Sequence, residues 1–182
     1  MQPHRDGFRA EDRAGRLRDG ENHVRLACVG DIMLARQQAE AARRGDGKVL
    51  RPSVTKLLRE ASIVLGNLEA PLASSAKPNR PTAFRAPPEA LAVLRHFTLV
   101  SLANNHIHDC GDGGIAETLD ALASAGVLTA GVCPRGEDPY APVIIERHGH
   151  RVAVFACAGD PIPDLPGSSD FVMARVDDAR LT

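Results

Sequence analysis

Three short apolar runs of the chain each end in side chains able to bind a metal or move a proton. Asp31 closes the first, Asn67 and Glu69 the second, and Asn104, Asn105, His106 and Asp109 the third. Two carboxylates with an amide form an oxygen-rich set that suits hard or borderline divalent metals such as Mn, Mg or Zn. A neighbouring histidine could protonate a leaving oxygen or stabilise charge on a phosphoryl group. Each piece also has an ordinary structural role. Gly-Asp after a strand makes turns, and an asparagine such as Asn67 often bonds its own backbone. Glu69 could be a solvated loop charge, and His106 a satisfied loop histidine. The Asn-Asn-His-x-x-Asp cluster is harder to explain as a turn, because it follows a largely apolar run.

These residues need a scaffold that brings them together, and the hydrophobic pattern describes one. Val24 to Val29, Ser62 to Leu65, Leu99 to Leu102 and Val127 to Ala130 read as strands. Between them, residues 32–44 hold good helix formers stopped by Gly45. Pro52 opens a helix with Val54, Leu57, Leu58 and Ala61 on one face. Residues 70–86 are broken by prolines and serines and read as a long loop. Pro88 starts a helix with Ala90, Val93, Leu94 and Phe97 on one side. Gly113-Gly114 precedes another, with Ile115, Leu119 and Leu122 inside and Gly126 as its stop. Strand alternating with helix predicts an α/β fold with a mainly parallel sheet and flanking helices. In such a sheet the carboxyl ends of the strands share one edge, where ligands bind. Neighbouring strands lie about 4.8 Å apart, so the polar ends of three of them can meet.

After residue 140 the rhythm changes. Val143 to Ile145 and Val152 to Cys157 are too close for a crossover and predict a hairpin. Its tip, His148-Gly149-His150, favours turn geometry over a metal site. His4, His23 and His96 have no partners at a useful spacing. Residues 159–170 read as loop, and Asp177-Asp178 as the acidic first turn of a helix. Residues 1–23 carry mixed charge with few large apolar side chains and read as a disordered tail before a domain spanning 24–182.

Composition narrows the function. Twenty-two Lys and Arg against 23 Asp and Glu give a net charge of −1, which provides no footprint for nucleic acid or an anionic membrane. Five Phe, one Tyr and no Trp are too few for a base-stacking platform. The expected partner is a small-molecule or polymer substrate. No apolar run reaches the ~18 residues of a membrane span, and residues 1–23 lack the apolar stretch of a signal peptide. The chain therefore reads as cytoplasmic. Its four cysteines, at 28, 110, 133 and 157, lack zinc or redox spacing. Cys28 and Cys157 lie in apolar runs and read as small hydrophobes, whereas Cys110 and Cys133 fall in loops. Free thiols are expected, with a Cys110–Cys133 disulfide as the alternative. There is no Gly-Lys-Ser/Thr phosphate loop, Gly-x-Gly-x-x-Gly, His-Glu-x-x-His or Gly-x-Ser-x-Gly segment.

Four segments resemble one family. Gly30-Asp31-Ile32-Met33-Leu34, Asn67-Leu68-Glu69-Ala70-Pro71-Leu72, Phe84-Arg85-Ala86-Pro87-Pro88-Glu89 and Ala103 to Gly111 resemble the signature segments of CapA-type capsule synthesis proteins. That family is linked to poly-gamma-glutamate biosynthesis and has a calcineurin-like metallophosphatase fold, an α/β/β/α sandwich. The resemblance covers residues 24 to about 157. It implies that Asp31 is a first-metal ligand, that Glu69 bridges two metals, and that Asn105 binds the second; Asn67 is taken as a further candidate metal ligand. It further implies that His106 acts on the leaving group while Asp109 orients it. The family's second half supplies further histidines that have no counterpart in this chain, so the domain is expected to be truncated.

The expected activity is metal-assisted hydrolysis of a phosphate ester or a related transfer. Two alternatives stand beside it. One is a non-catalytic or assembly protein that keeps half of the fold and is completed by a second chain. The other is a metal-free enzyme using Asp31, Glu69 and His106 directly.

Overall fold

A computed structural model describes residues 23–45, 49–159, 162 and 164–176. The tail expected over residues 1–23 lies almost wholly outside the described residues, as does the helix expected at Asp177-Asp178. Four parallel strands, β1 (Leu26–Ile32), β2 (Ile63–Leu68), β3 (Leu99–Ser101) and β4 (Leu128–Ala130), form one sheet in sequence order. The crossovers contain α1 (Gln37–Arg44), α2 (Pro52–Arg59), a 3₁₀ turn at Pro88–Ala90 running into α3 (Leu91–Leu94), and α4 (Gly111–Ser124). This is the mixed α/β architecture that the alternating pattern predicts.

Alternate residues of the central strands face two different clusters. Val64, Leu68 and Val100 pack with Ala42, Leu58, Leu94, Ile115 and Leu122 from the helices. Ile63, Leu99 and Ala130 face the other way and meet Ile145. Ile145 belongs to β6 (Val143–Arg147), which pairs antiparallel with β7 (His150–Val154) in the expected hairpin. Helices therefore cover one face of the sheet and the hairpin covers the other. Burial on both faces explains why β2 and β3 read as largely apolar runs. Ile63, Leu68, Leu99 and Val100 are all essentially inaccessible to solvent.

Local details differ from the sequence pattern. Helix α1 starts at Gln37, because residues 33–36 turn the chain off the end of β1. Gly113 and Gly114 lie inside the first turn of α4 instead of preceding it. A Cβ at Gly114 would come within 2.4 Å of the Cys110 Cβ, so a small residue is what lets the helix begin here. Cys133 lies in β5 (Val132–Pro134), which pairs with β8 (Phe171–Met173) in a short antiparallel ladder. The Pro, Gly and Ser content before residue 170 gave no sign of that pairing. All four cysteines are free, but Cys28 and Cys157 are exposed and only Cys110 is buried. Cys28 sits on β1, an edge strand whose residues are mostly solvent-facing. Among the described residues, no helix is long and apolar enough to cross a membrane.

One irregularity in the β1–β2 ladder places the first carboxylate. Cys28 pairs with Leu65 and Asp31 with Asn67, so Val29 and Gly30 together oppose Gly66. This bulge puts Asp31, not Gly30, opposite Asn67. A Cβ on Gly66 would meet the Ile32 Cδ1 at 2.6 Å and the Val29 Cγ2 at 2.9 Å, so glycine is what the bulge tolerates there.

Candidate functional site

The ends of β1, β2 and β3 converge as the sheet rule requires. Asn67, near the end of β2, sits at the centre. Its Nδ2 donates to Asp31 Oδ1 at 2.9 Å and to Glu69 Oε1 at 2.7 Å. Two carboxylates from neighbouring strands are thereby held on one amide nitrogen. The Glu69 N–H extends the ladder by donating to the Ile32 carbonyl at 3.2 Å.

Behind Asn67 stands Asn104, buried just after β3. Its Nδ2 donates to Asn67 Oδ1 at 3.0 Å and to the Leu68 carbonyl at 2.9 Å, and its Oδ1 accepts from the His106 N–H at 3.0 Å. Sequence reading placed Asn104 in the cluster without assigning it a task. Asn105, which the resemblance makes the second-metal ligand, is exposed.

His106 lies between two acids. Its Nδ1 is 2.9 Å from Asp109 Oδ2, and its Nε2 is 3.8 Å from Glu69 Oε2. Asp109 is buried and also accepts from the Phe84 N–H at 2.7 Å and from Arg80 Nη2 at 2.7 Å. With its oxygens already taken by donors, Asp109 is an acceptor toward the imidazole. The Nδ1 therefore carries the hydrogen, and Nε2 is the nitrogen left facing Glu69.

The loop of residues 70–86 closes this side of the site. The Phe84 ring packs on the His106 ring, with centroids 4.3 Å apart and planes tilted by 39°. Loop and α4 are tied together by Thr118, whose Oγ1 accepts from the Leu72 N–H at 2.9 Å. They are tied again by Glu117, which accepts from the hydroxyls of Ser74 and Ser75 and from the N–H groups of residues 74–76. Hydrogen bonds from Ser75 and Ser74 hold the Glu117 carboxyl well below the usual carboxylate range. At the start of α4, burial tends to raise the Asp112 carboxyl, but hydrogen bonds from Ser169, the Asp170 N–H and His108 outweigh it and leave it lowered. Burial pushes the Cys110 thiol up, which makes it a poor nucleophile.

Sequence reasoning missed Arg80, Phe84 and Arg36. Phe84 lay in a recognised signature segment, whereas Arg80 carried no signal within its Pro- and Asn-containing loop. His148 and Gly149 form the hairpin turn with φ of 50° and 77°, so that pair serves the turn geometry expected of it. Among the described residues, no three His, Cys, Asp or Glu side chains are grouped so as to hold a metal ion. The acids meet through an amide instead.

Comparison with known proteins decides the lineage. The family model for the bacterial capsule synthesis protein PGA_cap matches residues 25–176. The chain belongs to this capsule synthesis protein family. Asp31, Asn67, Glu69, Asn104 and His106 all fall within the matched region. The capsule biosynthesis protein CapA of Bacillus anthracis is 30% identical over 156 residues, covering 79% of this chain and 38% of that protein. Two uncharacterised proteins of Sinorhizobium fredii (strain NBRC 101917 / NGR234), y4sH and y4uA, are each 27% identical over 144 residues, or 73% of this chain and 30% of theirs. This PGA_cap-family chain thus spans well under half the length of the curated relatives it matches.

Proposed function

We propose that this capsule synthesis family member carries a metallophosphoesterase-type site, acting on a phosphate ester in capsule or poly-gamma-glutamate synthesis. The observation that carries the reading is the joint placement of Asp31 and Glu69 on Asn67 beside a histidine backed by a buried aspartate. The donor set fits a hard divalent cation such as Mn, Mg or Zn. By type it supplies the carboxylates of Asp31 and Glu69, which in this structure share the Asn67 amide nitrogen, and an exposed amide at Asn105. Asp31, Glu69 and Asn105 would hold the ion. Asn67 turns its amide nitrogen toward the acids, so in this geometry it aligns them. A divalent ion bound there supplies Lewis acidity toward a phosphoryl oxygen.

The remaining work falls to the chain itself. Asp109 fixes the His106 ring so that Nε2 faces the site, where an imidazolium would hold a proton for the leaving oxygen. Phe84 covers one face of that ring and limits water on that side. Arg80 balances the Asp109 charge, which leaves that aspartate as an orienting group.

Calorimetric titration with Mn²⁺ tests the reading, with Asp31→Ala and Glu69→Ala as controls. Binding lost in both variants, together with metal-dependent hydrolysis of a chromogenic phosphodiester, is the expected result. A folded wild-type chain that binds no Mn²⁺ would remove the metal-assisted reading. Hydrolysis without metal would then separate the metal-free enzyme from the non-catalytic alternative, in which these residues are inherited and inert.

A further inference from the structure

Two non-glycine residues among those described have positive φ, and they differ in kind. His148 sits in an ordinary left-handed turn at the hairpin tip. Arg36 has φ 54° and ψ −122° just ahead of α1. Gln38 donates its N–H to the Ala35 carbonyl at 3.1 Å, which closes a tight turn with Arg36 at its first central position. Those angles are the ones that the first central position of a type II′ turn takes, where glycine dominates because any Cβ is crowded. The turn therefore gains nothing from arginine, so the reason for it must lie in the side chain.

That side chain reaches the site. The Arg36 Cζ lies 4.7 Å over the centroid of the Phe84 ring, the same ring that packs on His106. Arg36 is exposed and makes no ion pair among the described residues. The nearby acids are committed elsewhere, with Asp109 to Arg80 and His106, and Asp31 and Glu69 to Asn67. A guanidinium parked over an aromatic ring keeps its N–H fork for two oxygens of a carboxylate or phosphate. Backbone strain at a site mouth persists where the side chain it aims is used.

We propose that Arg36 binds an anionic oxygen group of the substrate, phosphate or carboxylate, at a position one aromatic ring removed from His106. This rests on reading Asp31, Glu69 and His106 as the reacting centre. It makes the substrate one with a second anionic group beyond the bond that breaks.

The test uses the full chain in metal-free buffer, titrated with inorganic phosphate and separately with glutarate, and followed by amide chemical shifts. The variants are Arg36→Gly, which relieves the turn, and Arg36→Met, which keeps apolar contact with Phe84 without the charge. We expect the wild type to bind at least one probe, and both variants to bind it about tenfold or more weakly, as loss of a charged hydrogen bond implies. The melting temperature of Arg36→Gly should not fall. Phosphate dependence alone assigns a phosphate group, and glutarate dependence alone assigns a carboxylate. Equal binding by wild type and Arg36→Met overturns the proposal, as does a wild type that binds neither probe. A lower melting temperature with intact binding makes Arg36 merely a strut for Phe84. Mn²⁺ titration of the same samples judges the metal site separately, because Arg36 contacts neither Asp31 nor Glu69.

Discussion

Asn104 donates to Asn67 across 3.0 Å, and the backbone decides the direction of that bond. The Leu68 carbonyl can only accept and the His106 N–H can only donate, so Asn104 must turn its nitrogen to the first and its oxygen to the second. The same nitrogen then reaches Asn67, which must answer with its oxygen. Asn67 is left with its NH₂ toward Asp31 and Glu69, where a carboxyl oxygen of each accepts from it. Two backbone groups thus orient the amide that gathers the acids.

The first prediction tests that relay. Asn104→Asp is nearly isosteric, but it turns an acceptor toward the Leu68 carbonyl and invites Asn67 to flip its oxygen toward the acids. Asn104→Ala removes the partner of the Leu68 carbonyl, the Asn67 Oδ1 and the His106 N–H, at about 1–3 kcal/mol for each group left buried and unpaired, but it adds no repulsion. Urea unfolding should therefore find Asn104→Asp at least as destabilised as Asn104→Ala. A variant that tracks wild type would mean the amide directions are not set by the backbone.

The second concerns Asp109. In Asp109→Asn one of the two positions must become a donor, facing either Arg80 or the Phe84 N–H and His106 Nδ1. The mismatch should cost about 1–3 kcal/mol. It should also loosen the preference for hydrogen at Nδ1. Ring nitrogen shifts of His106 would report this directly. If they still match those of wild type, the aspartate is not what sets the tautomer. On the proposed activity, hydrolysis should fall while Mn²⁺ affinity holds.

How far the sequence foretold this site depended on the kind of signal each residue carried. Period and composition found the four parallel strands, and for the central β2 and β3 burial on both faces accounts for the apolar character. They also placed Asp31, Asn67, Glu69 and His106 at one edge, since the carboxyl ends of parallel strands must share it. The bulge at Val29-Gly30 was invisible, because register depends on what Gly66 meets in the neighbouring strand. Spacing alone did not tell the two adjacent asparagines apart, and only the resemblance singled out Asn105. Which one turns inward depends on the Leu68 carbonyl, 36 residues away in the chain. The pairing of β5 with β8 was lost for the same reason, as both strands are three residues long and joined only in space.

Gly66 supplies the third prediction. A methyl group there meets Ile32 Cδ1 at 2.6 Å, Val29 Cγ2 at 2.9 Å and Phe97 Cε1 at 3.0 Å. Overpacking of this kind costs about 1–3 kcal/mol. Gly30, across the bulge, has nothing within 4 Å of the same position. Thermal melts should show Gly66→Ala clearly destabilised and Gly30→Ala close to wild type. Because Asn67 follows Gly66 directly, Mn²⁺ binding should weaken only in the first. Equal melting temperatures for the two variants would show that the strands shift freely at the bulge.

The last prediction concerns the acid limb of the stability curve. Glu117 has its carboxyl lowered in the folded chain, chiefly by Ser75, then by the Ser74 N–H and hydroxyl. A depressed folded value means the unfolded state takes up the proton first as pH falls. The contribution is therefore complete above the ordinary value of 4.5 and is lost as pH drops below it toward the folded one. Glu117→Gln keeps the shape but makes one oxygen a donor and removes the charge that Ser74, Ser75 and Ala76 address. Its stability deficit against wild type should be full at pH 7 and shrink steadily from pH 5 to pH 3. Urea midpoints for both proteins across that range would measure it. A deficit that stays constant with pH would mean the loop is held by packing of Leu72 and Ala86, with the carboxylate contributing no proton linkage.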